Sequence, residues 1–215
     1  MNRVKLLSLH RTFASVTAAA ILVCSPLLAQ TGRSSKGDVP NLEVDAYWPQ
    51  PLPNKWAIGA IAGVAIGQQD HVWIIHRPAT LGPDEKHATT NPPNAECCIP
   101  APPVIEFDAQ GKVVQAWGGP GAGYEWFTNE HGIYIDYKGN VWVSGVAGKD
   151  WGKVLKFTPS GKFLMQIGRP LKAGETFSNS ATDMLGRQPA DMDVDPKTNE
   201  LYIADGDGGA QRVLV

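Results

Sequence analysis

Three side chains of the sequence are of types that bind anions or metals: Arg77, His131 and Asp207. A guanidinium has five donors and a permanent charge, so Arg77 could hold a carboxylate; the alternative is a structural salt bridge at a strand end. His131 could be a zinc ligand, but a catalytic zinc needs about three protein ligands, so the alternative is a hydrogen-bonded histidine. The sequence contains no nucleophile elbow, P-loop or dinucleotide fingerprint.

Carboxylates are concentrated near the end of the chain. Alternation along a strand would put Asp191, Asp193 and Asp195 on one face, and Asp205 and Asp207 follow shortly after. Such a row could bind calcium through oxygen ligands, or its members could cap turns. The pattern leaves both roles open.

A repeat along the chain indicates which elements must position these side chains. Its three copies begin at Ala62, His131 and Ala190. Each copy is a short alternating strand, a polar turn and a second strand of apolar and aromatic residues. The turns contain residues that hairpins favour, such as the segment 138–140 with its glycine and asparagine.

A further pair of strands follows each hairpin, at 104–108 with 113–118 and at 154–157 with 163–168, and a third copy begins at Arg212. Four strands per unit are typical of a propeller blade, and Trp73 and Trp142 occupy equivalent positions, where aromatic rings fill the wedge between blades. The sequence predicts an all-β propeller, with an open sheet or a sandwich as the rival fold. Because first strands line the central channel, we expect His131 to point toward the axis.

Two long loops, residues 78–103 and 169–189, interrupt the repeat. The first contains seven prolines, so we expect it to stay out of any sheet and to cover one face. Long loops on a rigid scaffold are common binding sites; the alternative is a solvated insertion. Cys97 and Cys98 lie in this loop and could form a vicinal disulfide, pair with cysteines outside the sequence, or stay free.

The N-terminus is predicted to be a signal peptide, residues 1–29, with a basic start, an apolar run and a small residue before the cut. A retained membrane anchor is the alternative. We expect residues 30–55 to be a lead-in segment and residues 56–215 to be the propeller. The protein is expected to be periplasmic or extracellular, with no membrane span once the signal is removed. Removal takes away three positive charges and no acid, so the mature chain is acidic and is not expected to bind nucleic acid.

Several short motifs follow in order along residues 56–215. They are Gly63-Val64-Ala65, Ile75-His76-Arg77, His131-Gly132, Ile167-Gly168-Arg169 and Ala204-Asp205-Gly206. Together they resemble the NHL-repeat family and, more narrowly, the N-terminal half of the lyase domain of peptidylglycine α-amidating enzymes. The resemblance implies a six-bladed propeller, of which about three blades are expected here.

The resemblance also implies a chemistry. That lyase cleaves peptidyl-α-hydroxyglycine to a peptide amide and glyoxylate, using zinc on three histidines, a nearby arginine and tyrosine, and a calcium held by backbone carbonyls. By position, His131 would be a zinc ligand, Arg77 the arginine, and Val64 and Ile133 the calcium carbonyls. Asp207 stands where the family has its tyrosine and is a candidate base. The family's nearby disulfide is missing, with Arg187 and Gly208 at the cysteine positions.

Two functions follow as hypotheses. The first is a non-catalytic module of the cell envelope that binds a small molecule, peptide or protein on a loop face. The alternative is a divergent zinc-dependent lyase whose other metal ligands lie beyond Val215; other propeller enzymes, such as lactonases or sugar dehydrogenases, form a third class.

Because blades protect one another's faces by closing a ring, we expect this chain alone to aggregate, oligomerise or fold poorly, with a dimerising half-propeller as the alternative.

Overall fold

The described part of the chain comprises residues 42–149, 151–207 and 209–215 of a computed structural model. It contains β-strands and single turns of 3₁₀ helix, and no α-helix occurs in these ranges. Within the same ranges, none of the helical turns is long and apolar enough to cross a bilayer. The predicted signal peptide, residues 1–29, and the first part of the predicted lead-in lie outside the described residues.

Short runs of apolar and β-branched residues between glycine and proline turns form the strands, as a period-two pattern predicts. The 3₁₀ turns are Pro53–Lys55, Gln68–Asp70, Pro78–Thr80, Pro83–Glu85 and His87–Thr89. The strands are β1 (Trp56–Ala57), β2 (Ala60–Ile66), β3 (Val72–Arg77), β4 (Ile99–Pro100), β5 (Val104–Phe107), β6 (Val113–Trp117), β7 (Asn129–Ile135), β8 (Val141–Val146), β9 (Gly152–Phe157), β10 (Phe163–Ile167), β11 (Asp191–Val194), β12 (Leu201–Asp205) and β13 (Arg212–Leu214).

Most of these strands form three antiparallel sheets, which we call blades 1, 2 and 3. Blade 1 has the order β2-β3-β5-β6, blade 2 the order β7-β8-β9-β10, and blade 3 the order β11-β12-β13. Chain order and spatial order agree in every blade, so each blade is a meander and the predicted all-β repeat of blades is confirmed.

The two remaining strands, β1 and β4, pair with each other in parallel, with Trp56 opposite Ile99 and Ala57 opposite Pro100. The prediction that the proline-rich loop 78–103 stays out of any sheet was therefore wrong at its end. A proline is tolerated in an edge strand, where its missing N–H is not needed for a ladder bond.

The meander gives each blade two unlike ends. Short turns join first to second strands and third to fourth strands, and in them Gly111, Gly139 and Gly161 have φ values of 80°, 81° and 81°. Glycine reaches such values without steric cost, which is why these turns could be predicted from sequence. We call this end the turn face. The long connections, including 78–103 and 169–189, lie at the opposite end, which we call the long-loop face.

Apolar side chains hold the blades face to face. Blades 1 and 2 share a core that buries Trp73 and Phe157. The Phe157 ring centroid lies 5.0 Å from that of Trp117 and 5.1 Å from that of Tyr124. Blades 2 and 3 share a second core that contains Trp142. The two tryptophans at equivalent repeat positions therefore both lie between blades, as the sequence predicted.

The first strands of the three blades, β2, β7 and β11, lie side by side. Glycines permit this close approach. A Cβ atom on Gly63 would lie 3.1 Å from the Ile133 amide nitrogen, and one on Gly132 would lie 2.5 Å from the Ala190 carbonyl oxygen. A larger residue at Gly132 would therefore clash with the Ala190 carbonyl at the start of blade 3 and with the Ser144 hydroxyl.

A β-bulge in β7 places His131 near the long-loop face. Two residues of β7, His131 and Gly132, lie opposite the single residue Ser144 of β8. The fully buried Ser144 hydroxyl accepts a hydrogen bond from the Gly132 N–H at 3.0 Å and donates one to the Pro189 carbonyl at 2.8 Å. One hydroxyl therefore fixes the bulge and fastens it to the segment that leads into blade 3.

The side of blade 1 that faces away from blade 2 is covered by the segment before it. The Trp48 ring lies 5.6 Å from that of Phe107. The buried His76 imidazole joins this segment to the blade, because its Nδ1 accepts the Gly59 N–H at 3.2 Å and its Nε2 donates to the Pro102 carbonyl at 3.0 Å. The end of the predicted lead-in is therefore packed on blade 1.

Replacing Ser144 by alanine is expected to lower the free energy of unfolding by roughly 2–4 kcal/mol, because a buried N–H and a buried carbonyl each lose a partner. Urea unfolding of the full chain measures this loss. Ser160, exposed in the β9–β10 turn, is the matched control, and Ser160→Ala should change the value by less than about 0.5 kcal/mol. Small and equal effects of the two substitutions would contradict the role assigned to Ser144.

Burial lowers the pKa of His76, because the charged imidazole would lose its hydration. The unfolded chain then takes up the proton first, so the free energy of unfolding should fall as the pH drops below about 6.5, by up to about 1.4 kcal/mol per pH unit. Urea unfolding at about pH 7.5 and about pH 5.5 tests this. In His76→Gln, which keeps a donor and an acceptor, this part of the pH dependence should vanish; an unchanged dependence would assign it to other groups.

Candidate functional site

Three predicted site residues come from three different blades and lie at the long-loop face. Arg77 ends β3, His131 lies in the bulge of β7, and Asp207 follows β12. Second strands run toward this face and first strands run away from it, so the end of β3, the start of β7 and the end of β12 are neighbours. The fold brings together residues that are far apart in the chain.

The central contact of the site joins the His131 imidazole and the Asp207 carboxylate. Nε2 of His131 lies 3.3 Å from Oδ2 of Asp207, and the two side chains are 22% and 57% exposed, so a ligand can reach them. Nδ1 of His131 is buried and has no hydrogen-bond partner within the described ranges. The ring therefore contacts a carboxylate through one nitrogen and keeps an unused hydrogen-bonding position at the other.

Arg77 is held beside this pair through the backbone. Its Nε donates to the carbonyl oxygen of Glu130, the residue before His131, at 2.8 Å. The buried Glu130 carboxylate in turn accepts the Trp126 indole N–H at 2.7 Å. In the part of the chain that the structure describes, the two terminal nitrogens of Arg77 have no hydrogen-bond partner. They can make a bidentate contact to an oxyanion.

Zinc fits this site only in part. An imidazole and a carboxylate, both groups that zinc binds, lie together, but the second imidazole nitrogen, Nδ1 of His131, is buried. Among the described residues, however, no group of three or more His, Cys, Asp and Glu could hold a metal ion. Since a catalytic zinc needs about three protein ligands, these residues do not form a complete zinc site.

The two residues expected to supply calcium carbonyls, Val64 and Ile133, lie on the neighbouring first strands β2 and β7. The backbone of Gly63, next to Val64, approaches the Ile133 amide closely, as described above. The fold thus places the two residues on adjacent strands near the axis, and calcium binding by their carbonyls stays a prediction.

The aspartates near the end of the chain make contacts within the protein. Asp193 accepts the Tyr134 hydroxyl at 2.8 Å, which links blade 3 to blade 2. Asp195 accepts the Lys197 N–H at 2.7 Å and caps the β11–β12 turn. The Asp195 contact agrees with the turn-capping alternative, and the Asp193 contact joins two blades instead.

Cys97 and Cys98 are bonded to each other in the structure, which is the vicinal alternative of the three that the sequence left open. They stand in the proline-rich loop directly before β4. The preceding residue, Glu96, pairs with Lys55 at 3.1 Å. The disulfide therefore lies where this loop is fastened to the segment that leads into blade 1.

Ion pairs that the sequence did not reveal fix the second long loop, residues 169–189. Arg169 contacts Glu175 at 2.7 Å and Asp183 at 2.6 Å, and its hydrogen bond lowers the pKa of Glu175 to about 2. Asp205, fully buried, accepts Arg212 Nε at 2.9 Å, and the remaining donors of Arg212 bind carbonyl oxygens of the loop. The loop is thus held on the third blade at the long-loop face.

Two residues beside the site were missed by the sequence analysis, Ser144 and Glu130. In the repeat, Ser144 stands where the other copies have Ile75 and Ala204. A polar residue at an otherwise apolar position was the signal that could have identified it. The sequence gives no such signal for Glu130, because glutamates are usually exposed to solvent and rarely buried.

No protein-family model matches the chain. The chain is 31% identical to NHL repeat-containing protein 3 of Mus musculus over 120 residues, which cover 53% of the chain and 31% of that protein. It is 27% identical to peptidylglycine alpha-amidating monooxygenase of Rattus norvegicus over 189 residues, which cover 77% of the chain and 16% of that protein. It is also 27% identical to peptidyl-alpha-hydroxyglycine alpha-amidating lyase 2 of Drosophila melanogaster over 175 residues, 78% of the chain and 38% of that protein.

The chain therefore spans less than two fifths of the length of each of these relatives. The comparisons confirm the resemblance that the short motifs indicated, and the all-β blades agree with the propeller that NHL relatives imply. The chain is thus a relative, at modest identity, of the NHL-repeat proteins and of the peptidyl-α-hydroxyglycine α-amidating lyases, with the blades of a β-propeller.

Proposed function

We propose that the chain is the ligand-binding part of an exported propeller of the cell envelope, and that it holds a small molecule or peptide by a carboxylate on the long-loop face. One observation carries the proposal. A continuous series of contacts runs from Arg77 through the Glu130 carbonyl to the neighbouring His131 and on to Asp207, so groups from three blades converge at one accessible place.

The chemistry of each group fits a carboxylate ligand that also has a hydrogen-bond donor. Arg77 is fixed by its Nε and offers its terminal nitrogens to the two carboxylate oxygens. Asp207, more than half exposed, accepts from an amide or hydroxyl of the ligand. His131 lies between a buried interior and Asp207 and orients that carboxylate. A peptide C-terminus, with an N–H near its carboxylate, presents both kinds of group.

Two features support the proposed location outside the cytoplasm. The basic and then apolar start of the sequence is typical of a secretory signal. The disulfide in the described loop agrees with an oxidising compartment, since exported proteins keep such bonds.

A second candidate function, a lyase of the amidating type, is favoured by the lyase relatives and by the position of His131 in the bulge. In that case zinc would supply a Lewis acid at the substrate hydroxyl, and His131 would be one of its ligands together with residues outside the described part. Arg77 would orient the substrate carboxylate, and Asp207 would hold the proton removed from the hydroxyl.

The binding proposal predicts that a tripeptide with a free C-terminal carboxylate binds the full chain, and that its C-terminal amide binds much more weakly. Arg77→Gln should lower the affinity for the peptide with the free carboxylate about 10- to 100-fold, because one or two charge-assisted hydrogen bonds are lost. Isothermal titration calorimetry measures both. Arg187, exposed in the loop at the same face, is the matched control, and Arg187→Gln should leave the affinity unchanged. Equal affinities for acid and amide would overturn the proposal.

A turnover assay tests the second candidate function. The full chain is incubated with zinc and a peptidyl-α-hydroxyglycine, and released glyoxylate is measured. Glyoxylate release that is lost in His131→Ala, while that variant still unfolds cooperatively, would establish the lyase instead.

A further inference from the structure

A second accessible site lies on the turn face, at the other end of the blades. It is a cleft of about 150 Å³ between blades 1 and 2, which we call the turn-face cleft. Its lining includes Gln68, Gln69, His71, Trp73, Glu106 and Ile135. Along β7 the cleft is separated from His131 by four residues, or about 13 Å of extended chain, so it is distinct from the site at the long-loop face.

A buried carboxylate orients the imidazole of this cleft. Glu106 lies in the middle of β5 and is 8% exposed. Its carboxylate accepts the His71 Nδ1–H at 2.7 Å and the Gln115 amide N–H at 2.6 Å. With Nδ1 as the donor, Nε2 of His71 carries the lone pair, and within the described ranges no protein group hydrogen-bonds to it. The cleft therefore contains a fixed acceptor with an open position.

The turn that supplies the amide groups of the cleft has an unusual backbone. Gln69 and Asp70 have positive φ values of 61° and 58°. The turn at the corresponding place in blade 2 has glycine, Gly139, at its positive φ. A side chain at such a φ costs conformational energy that glycine would avoid, and retained strain of this kind clusters at functional sites. Position 69 therefore has a glutamine at the cleft, although its positive φ would be better accommodated by glycine.

The walls of the turn-face cleft decide what class of ligand fits. The buried Glu106 carboxylate would repel an anionic ligand. The cleft is also a poor metal site, because no group of three metal-binding side chains occurs among the described residues. Two primary amides and an imidazole acceptor match hydroxyl groups, which both donate and accept. Ile135 and Pro159, with the edge of the buried Trp73, supply an apolar wall for C–H groups. The volume is below the roughly 300–1,000 Å³ of clefts for drug-sized ligands, so the occupant is small.

We propose that the turn-face cleft binds a single sugar ring or a polyol of similar size, with His71 and Gln69 as its hydrogen-bonding contacts. The ligand donates one hydroxyl to Nε2 of His71 and exchanges hydrogen bonds with the Gln69 amide. Its C–H face lies against the apolar wall. Glu106 acts through His71, by holding the ring, and is a positioning residue.

The test is a titration of the isotope-labelled full chain with glucose, galactose, N-acetylglucosamine and glycerol, followed by NMR. At least one compound should shift the Trp73 indole and Gly139 amide signals in a saturable way. His71→Phe, which keeps the ring but removes the acceptor, should weaken that binding at least tenfold. His87→Phe, in the loop at the other face, is the matched control and should leave it unchanged. Shifts that do not saturate, or that persist at full strength in His71→Phe, would overturn the proposal.

A second variant keeps the proposal testable if His71→Phe does not fold. Gln69→Gly removes strain and an amide at once, so it should raise the melting temperature of the chain and weaken sugar binding severalfold. A stabilised variant with undiminished sugar affinity would exclude Gln69 from the site and contradict the proposed contacts.

Discussion

Burial of Phe157 between blades 1 and 2 is the contact on which the rest of the structure depends. Its ring centroid lies 5.0 to 6.0 Å from those of Trp117, Tyr124 and Trp126. Complete burial of the Phe157 side chain contributes roughly 1.5–3 kcal/mol, before the conformational entropy of folding is subtracted. A single four-stranded sheet exposes two apolar faces and cannot bury either by itself. Each blade therefore depends on its neighbours, and the stacking direction fixes where strand ends meet.

That stacking separates two kinds of surface. Because each blade is a meander, short turns gather at one face and long connections at the other. Residues at the ends of different strands, such as Arg77 and His131, become neighbours at the long-loop face without being close in sequence. Glu106 and His71 meet in the same way at the turn face. Rigid strands thus position two separate polar sites, about one strand length apart.

The sequence predicted the features that are set by local rules. Alternating strands, and glycine turns such as those at Gly111 and Gly161, follow from side-chain alternation and from the φ preference of glycine. The family resemblance implied that Arg77, His131 and Asp207 belong to one site, and the fold brings them to one face. The buried polar contacts of Ser144 and the pairing of β4 with β1 did not, because they join segments whose proximity only tertiary packing decides.

Asp207 constrains how the His131 imidazole can be used at the long-loop face. Nε2 of His131 faces the Asp207 carboxylate, and the other nitrogen is buried. One nitrogen cannot donate a proton to a carboxylate and coordinate a metal at the same time. Metal binding at His131 would therefore require Asp207 to turn away or to become a ligand itself.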